Sequence, residues 1–97
     1  MLLYEEEMKI KDFEWDDGNI LHLELVHGIQ PYEAEEVITY KPLFRKIKKE
    51  RYTALGPTLE GRYLVIVFKK KDKDKTRVIT GWDMDEKERK YYKRGGK

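Results

Sequence analysis

The sequence predicts an α+β fold: an antiparallel β-sheet of four to five strands, with two helices before it and one C-terminal helix. Three observations support this prediction. Apolar residues recur at helical spacing in the first half of the chain, four short segments of strand character follow within residues 43–80, and a helix-start signal precedes a last amphipathic segment. The breaks between the strand segments are short enough for hairpins, which favours antiparallel neighbours.

Chain length and composition indicate one domain over residues 1–97. The chain is 39% hydrophobic and 41% charged, which is enough apolar material for a single core. Its longest purely apolar window, residues 64–68, is far shorter than the roughly 20 residues that cross a bilayer. The chain has no cysteine, which excludes disulfides and thiolate chemistry. The acidic N-terminus lacks the features of a secretion signal, so we expect no membrane association and a cytoplasmic location.

An edge strand and a first helix are predicted for the N-terminal part of the chain. Residues 2–15 alternate imperfectly, with an irregularity near Asp12, as is typical of an edge strand. An exposed edge strand is a ready site for pairing with a second copy or a partner chain, and the sequence leaves open whether such pairing occurs. Asp16 is a typical helix N-cap and Gly28 a typical C-terminal residue, which places a helix over about 17–27. Its expected apolar face consists of Ile20, Leu21, Leu23, Leu25 and Val26.

A second helix follows at Pro31, because proline suits the first helical turn. Its buried stripe is expected to be Ala34, Val37 and Ile38. The strands are then predicted over residues 43–48, 51–55, 62–69 and 76–80. The third of these is apolar on both faces and is expected to be the central strand. Asp85 with Glu88 resembles a capping box and predicts the last helix over 86–93.

Charge is strongly segregated along the chain. Residues 1–40 contain eleven acidic and two basic residues, whereas residues 41–97 contain nineteen basic and eight acidic ones. One interpretation is a cationic surface for a polyanion or an acidic partner. The alternative is a network of surface ion pairs, in which acidic helices fold against a basic sheet.

Several chemistries are excluded or disfavoured by the motifs. No glycine-rich phosphate loop lies between a strand and a helix. His22 and His27 are five residues apart on the predicted helix, which turns them to different faces and disfavours a shared metal. His27 precedes Gly28 and is expected to act as a cation at the helix C-terminus. We therefore expect neither a metal nor a cofactor.

Cationic and aromatic side chains are the remaining candidates for function. Arg51, Arg62 and Arg77 lie on or at the start of predicted strands, and a cluster of their guanidinium groups would bind phosphate and stabilise developing charge. The alternative for each arginine is an ion pair with a glutamate of the acidic helices. Further candidates for contacts with RNA are Lys69, Lys70, Trp82, Arg89 and Tyr92. One of the paired tyrosines, Tyr91 or Tyr92, is expected to face the core.

Short segments in a fixed order resemble the BrnT-type toxins over about residues 12–93. The segments are Phe13-Glu14-Trp15-Asp16, His27-Gly28-Ile29, Glu35-Glu36, Glu50-Arg51-Tyr52, Gly61-Arg62, Arg77-Val78-Ile79-Thr80 and Glu88-Arg89 with Tyr92. The resemblance implies a RelE-like fold and a ribonuclease toxin that cleaves RNA without a metal. It also implies a small antitoxin, usually encoded next to the toxin and expected to bind DNA, that neutralises it.

Four positions depart from the family pattern. Val26 and Trp82 stand where the family usually has basic residues, and Asn19 and Leu23 stand where it often has lysine and asparagine. Two alternatives therefore stay open: a weak or inactive RNA-binding or regulatory module of the same fold, and a protein-interaction domain that works through its acidic half. If the protein is a nuclease, Arg51, Arg62 and Arg77 are the predicted phosphate stabilisers. For proton transfer the sequence offers four candidates without deciding among them: Glu50, Glu88, Tyr92 and His22.

Overall fold

Five strands and three helices make up the described part of the chain. The computed structural model describes residue 10, residues 12–71 and residues 75–97. The elements are β1 (Asp12–Glu14), α1 (Asp17–Leu21), which continues as π-helical turns over His22–Val26, α2 (Pro31–Thr39), β2 (Leu43–Lys48), β3 (Arg51–Pro57), β4 (Tyr63–Lys70), β5 (Lys75–Asp83) and α3 (Glu86–Lys93). Across these residues, no helix is long and apolar enough to span a membrane.

All five strands belong to one sheet, in the order β1-β5-β4-β3-β2. Strands β2 to β5 pair as antiparallel neighbours, and β4 lies in the middle, as predicted. The antiparallel prediction is wrong for β1, which pairs in parallel with β5. No hairpin joins these two strands, so no tight turn fixes their relative direction. Of the predicted strand at 2–15, residues 2–9 and 11 lie outside the described residues.

The two faces of the sheet are covered unequally. On one face, α1, the π-helical turns and α2 pack on a buried core formed by Leu23, Ile29, Ala34, Val37, Ile38, Ala54, Leu64, Ile66, Phe68 and Val78. On the other face, Leu55, Val65 and Met84 form a smaller cluster under Tyr91 and Tyr92. Helix α3 therefore covers only one end of the second face, which we call the open face.

The first helix differs from the prediction in its second half. Asp16 caps it as expected, in a capping box with Asn19. Residues His22–Val26 then form π-helical turns. Of the five residues of the predicted apolar face only Leu23 is buried, and Leu25 is 79% exposed. Ile29, after the helix, fills the core position next to Leu23. A regular α-helical face was therefore the wrong expectation for this segment.

The remaining helices follow the local signals. Pro31 begins α2, and Ala34, Val37 and Ile38 are its buried stripe. Helix α3 has the bounds predicted for it, and its start is a capping box of Asp85 with Glu88. Both helices place acidic residues in the first turn, where the helix dipole favours them.

Candidate functional site

A row of cations crosses one end of the open face. Arg51 lies opposite Lys69 in the pairing of β3 with β4, and Lys69 lies opposite Arg77 in the pairing of β4 with β5. Directly opposed residues point to the same face of a sheet, about 4.5–5.5 Å apart. Three cationic side chains from three strands therefore lie side by side.

The next row on the open face is uncharged in its centre. Thr53 and Val67 are paired with each other, and they are flanked by Arg45 on β2 and Thr80 on β5. Thr53 and Val67 are 9% and 8% exposed. They form a low floor next to the cationic row.

A groove lies between this floor and α3. Its volume is about 620 Å³, and besides Thr53 and the aliphatic side chains of the sheet it is lined by Arg45, Lys46, Trp82, Lys87, Glu88, Lys90, Tyr91 and Arg94. Four cationic side chains point into the groove, those of Arg45, Lys87, Lys90 and Arg94, together with the acidic side chain of Glu88. Lys46 borders the groove on β2, but it is paired with Tyr52 and its Nζ lies over the Tyr52 ring on the other face of the sheet. We call the whole surface the basic trough: the cationic row of Arg51, Lys69 and Arg77, the floor of Thr53 and Val67, and this groove.

Trp82 is the aromatic side chain in the wall of the groove. It is 36% exposed, and its indole Nε1 donates to both carboxylate oxygens of Glu88, at 3.1 and 3.3 Å. Glu88 also accepts from the backbone N–H of Asp85, which fixes it at the start of α3. Tyr91 lies under the guanidinium of Arg45, 5.3 Å from ring centroid to Cζ. The groove thus offers two partly exposed aromatic rings between cations.

Arg62 is not part of this surface. It precedes β4, seven residues before Lys69, which corresponds to roughly 23 Å of extended strand. Its guanidinium donates twice to Asp83, at 2.9 and 3.0 Å, and also to Glu33 and to the carbonyl of Gly28. The hydrogen bonds with Asp83 raise the pKa of Arg62, and those from Arg62 lower the pKa of Asp83. The predicted convergence of three arginines is therefore wrong for Arg62, which instead joins α2 to the end of β5.

Arg77 is shared between the trough and two carboxylates. It donates to Asp16 at 2.8 and 3.2 Å and to Glu14 at 3.2 Å. Its hydrogen bonds lower the pKa of Asp16, and those carboxylates raise the pKa of Arg77, with Asp16 contributing most. The guanidinium Nε–H and one Nη2 hydrogen have no partner among the described residues. Arg51 makes no ion pair with any carboxylate in the described ranges.

Of the other residues predicted to contact RNA, some lie on the trough and some lie elsewhere. Lys69 and Trp82 lie on the trough, whereas Lys70 is paired with the buried Thr76, on the alternate side of β4. Arg89 stacks on Tyr63, with 4.6 Å between Cζ and the ring centroid, and does not line the groove. Tyr92 donates its hydroxyl to the carbonyl of Lys41, and burial raises its pKa. Tyr91 is thus the tyrosine of the pair that lines the groove.

The sequence reading missed most cations of the groove. Lys87, Lys90 and Arg94 follow each other at spacings of three and four residues, which places them on one side of α3. This spacing in the sequence could have predicted a cationic side of α3. Arg45 gave no comparable signal, because no sequence spacing relates a single arginine on an edge strand to α3. Within the ranges that the structure describes, no group of three or more histidine or acidic side chains is placed to hold a metal ion.

Comparison with known proteins relates the fold, but not the sequence, to a toxin. No family model matches the sequence, and no curated protein matches it. The fold is similar to that of a solved ribonuclease toxin. The 1.1 Å crystal structure of BrnT, the ribonuclease toxin of Brucella abortus, superposes with a TM-score of 0.62 over 81% of this chain and 99% of that chain, at 18% identity. A mixed α+β fold like that of BrnT, as the resemblance implied, is confirmed at this level.

Proposed function

We propose that this protein is a toxin of a toxin–antitoxin pair, a ribonuclease that binds RNA in the basic trough and cleaves it without a metal ion. One observation carries the proposal: the groove between α3 and the open face, where four cationic side chains and Trp82 meet a single carboxylate. The likeness in fold to BrnT supports the same function.

The shape and chemistry of the trough suit a single RNA strand. Arg51 and Leu55 are four positions apart on β3, which leaves about 13 Å of strand between the cationic row and the residues under α3. Single strands are held by cations along the backbone and by aromatic rings on which bases stack. Here the cations lie on both walls, and Trp82 provides the exposed ring. The floor of Thr53 and Val67 leaves room for the strand to lie low between the walls.

Cleavage would use the neighbouring 2′-hydroxyl of the RNA as nucleophile. The protein then has to align this hydroxyl, accept one proton, donate another and stabilise charge on the phosphate. We propose Arg51 and the two remaining donors of Arg77 for charge stabilisation, since Arg62 is bound to Asp83 and Glu33. Of the proton-transfer candidates, Tyr92 donates to a backbone carbonyl, and Glu88 is held by Trp82 and by the cap of α3.

An acidic antitoxin is the partner that this surface fits best. A cationic trough attracts a segment rich in aspartate and glutamate for the same reason that it attracts RNA. We propose that a cognate antitoxin, encoded next to the toxin, covers the trough and so excludes RNA. An RNA target also places the toxin's action in the cytoplasm.

A second candidate function is RNA binding without cleavage. It is favoured by the carboxylate partners of Arg62 and Arg77, which leave fewer free cations around a phosphate under attack. This module would retain RNA in the same trough and leave it intact.

The test compares RNA cleavage by the wild type and two matched double variants, all in EDTA. K87Q/K90Q removes two charges from the groove side of α3, and R89Q/K93Q removes two from its other side. We expect the wild type and R89Q/K93Q to cleave RNA, and K87Q/K90Q to be at least tenfold slower at limiting RNA. Binding with intact RNA would favour the second candidate, and an absence of both binding and cleavage would refute both.

A further inference from the structure

Two histidines and a threonine form a hydrogen-bonded group at the outer edge of β5. The Nε2 atoms of His22 and His27 lie 3.0 and 3.1 Å from Thr80 Oγ1. The two rings meet edge to face, with 5.2 Å between centroids. The Thr80 hydroxyl can donate its single hydrogen to only one of the two Nε2 atoms, and it can accept a hydrogen bond from the other. In that arrangement one imidazole carries a proton on Nε2 and the other does not.

The π-helical turns explain how the two histidines meet. Residues five apart on an α-helix point to different sides, which was the basis for expecting His22 and His27 to be separate. In π-helical turns the hydrogen bonds join residues five apart, so such residues lie nearly above one another. The turns cover His22–Val26 and end at His27. Such turns occur frequently at functional sites.

The histidine group lies next to the β5 side of the basic trough. Thr80 lies opposite Val67, a floor residue, and is two residues from Trp82, which corresponds to about 7 Å along the strand. Beside it is a cleft of about 460 Å³ lined by His22, Thr80, Arg77 and the first turn of α1. Among the described residues that line this cleft, none is acidic. The cleft thus combines an imidazole, a hydroxyl and a guanidinium next to the RNA-binding surface.

We propose that His22 and His27 are the general base and general acid of RNA cleavage, an assignment that rests on the proposed function. One imidazole accepts the proton of the 2′-hydroxyl as the 2′-oxygen bonds to phosphorus. The other, as imidazolium, gives its proton to the 5′-oxygen as the phosphorus–oxygen bond to that atom breaks. The products are a 2′,3′-cyclic phosphate and a 5′-hydroxyl. The first imidazole gains the proton that the second has lost, and exchange with water restores both.

Arg77 fits the same step. Its Nε–H and one Nη2 hydrogen have no partner in the described part of the chain, and the side chain lines the cleft. A guanidinium at that place stabilises the negative charge that the phosphate gains in the transition state. The two carboxylates that hold Arg77 also fix its orientation.

The test uses two substrates and two single variants, H22Q and H27Q. One substrate is a short RNA with an ordinary phosphodiester. The other carries sulfur in place of the bridging 5′-oxygen, and its thiolate leaves without being protonated. We expect each variant to cleave the ordinary RNA 10²- to 10⁴-fold more slowly than the wild type. The variant that lacks the general acid should regain most of its rate on the sulfur substrate, and the other should not.

Binding of 2′-O-methyl RNA, thermal unfolding and the control variant T39V accompany these rates. Thr39 is the last residue of α2 and does not line the cleft, and its hydroxyl donates to the backbone carbonyl of Glu35. T39V therefore serves as a control for the loss of a hydrogen bond outside the cleft. We expect both histidine variants to bind this RNA within threefold of the wild type. Wild-type rates in both H22Q and H27Q overturn the assignment and leave the nuclease proposal standing. Equal losses on both substrates overturn the acid role, and RNA left intact by the wild type overturns the nuclease proposal itself.

Discussion

The groove cations predict how strongly RNA binding depends on salt. Four cationic side chains and one carboxylate point into the groove, which corresponds to about three neutralised phosphates. For a single strand each neutralised phosphate contributes about −0.7 to the slope of log K against log salt, so the groove should contribute about −2 to the slope. Between 50 and 200 mM KCl this contribution should lower the affinity roughly twentyfold.

Removing two groove charges should lower this dependence by a predictable amount. K87Q/K90Q leaves about one neutralised phosphate in the groove, so the groove's contribution to the slope should fall to about −0.7 and the matching loss of affinity to about threefold over the same salt range. R89Q/K93Q removes the same charge from the side of α3 on which Arg89 stacks on Tyr63, and the groove's contribution should stay near −2.

Fluorescence anisotropy with a labelled 2′-O-methyl oligonucleotide measures all three slopes, because this RNA lacks the 2′-hydroxyl and cannot be cleaved. The reasoning is refuted if the two double variants lose the same amount of slope. RNA would then be responding to the total charge of α3 and not to the groove.

Three further predictions concern Trp82 in the groove, the ion pairs of Arg62, and Gly81 on β5. W82A should weaken single-strand binding by about 1–3 kcal/mol while W82F retains most of it, measured by the same anisotropy assay. R62Q should lower the free energy of unfolding at pH 7 by about 1–2 kcal/mol and the melting temperature by roughly 5–10 °C, because it removes the contact with the exposed Asp83 and also the one with the largely buried Glu33. Arg62 lowers the pKa of Asp83, so the stabilisation from this pair is present at neutral pH. It is lost as the pH falls below 3.8, the ordinary pKa of the group, and through the lowered pKa. Urea unfolding at pH 7 and pH 3 should therefore show a smaller difference in the free energy of unfolding between R62Q and the wild type at pH 3. G81A should cost about 1–3 kcal/mol in thermal unfolding, because a Cβ there would lie 2.8 Å from Ile66 Cδ1 and 2.9 Å from a β4 carbonyl; an unchanged melting temperature would show that β5 shifts freely.

The parts of the fold fixed by short-range signals could be read from the sequence. Helix α3 begins where the Asp85–Glu88 capping box places it, and the central position of β4 follows from apolar residues on both of its faces. The direction of β1 could not be read, because it depends on a pairing between residues more than sixty positions apart. The same holds for the π-helical turns, since their apolar residues also fit a regular helix.

The sequence predicted the type of surface at the candidate site, but only some of the residues that form it. A cationic surface followed from the charge segregation, and the structure brings Arg51, Lys69 and Arg77 into register. Arg62 illustrates why the rest was out of reach: its role depends on which carboxylates lie near it in space, and sequence spacing does not give that distance. The groove side of α3 was the exception, because helical spacing alone groups its cations.

The two tryptophans allow the most direct measurement of where RNA binds. Trp82 lies in the groove, whereas the indole of Trp15 donates to Glu35 on α2, which packs on the opposite face of the sheet. In a ¹⁵N-labelled sample titrated with 2′-O-methyl RNA, we expect the indole N–H signal of Trp82 to shift and that of Trp15 to stay in place. A shift of the Trp15 signal with Trp82 unmoved would contradict the assignment of the basic trough as the RNA site.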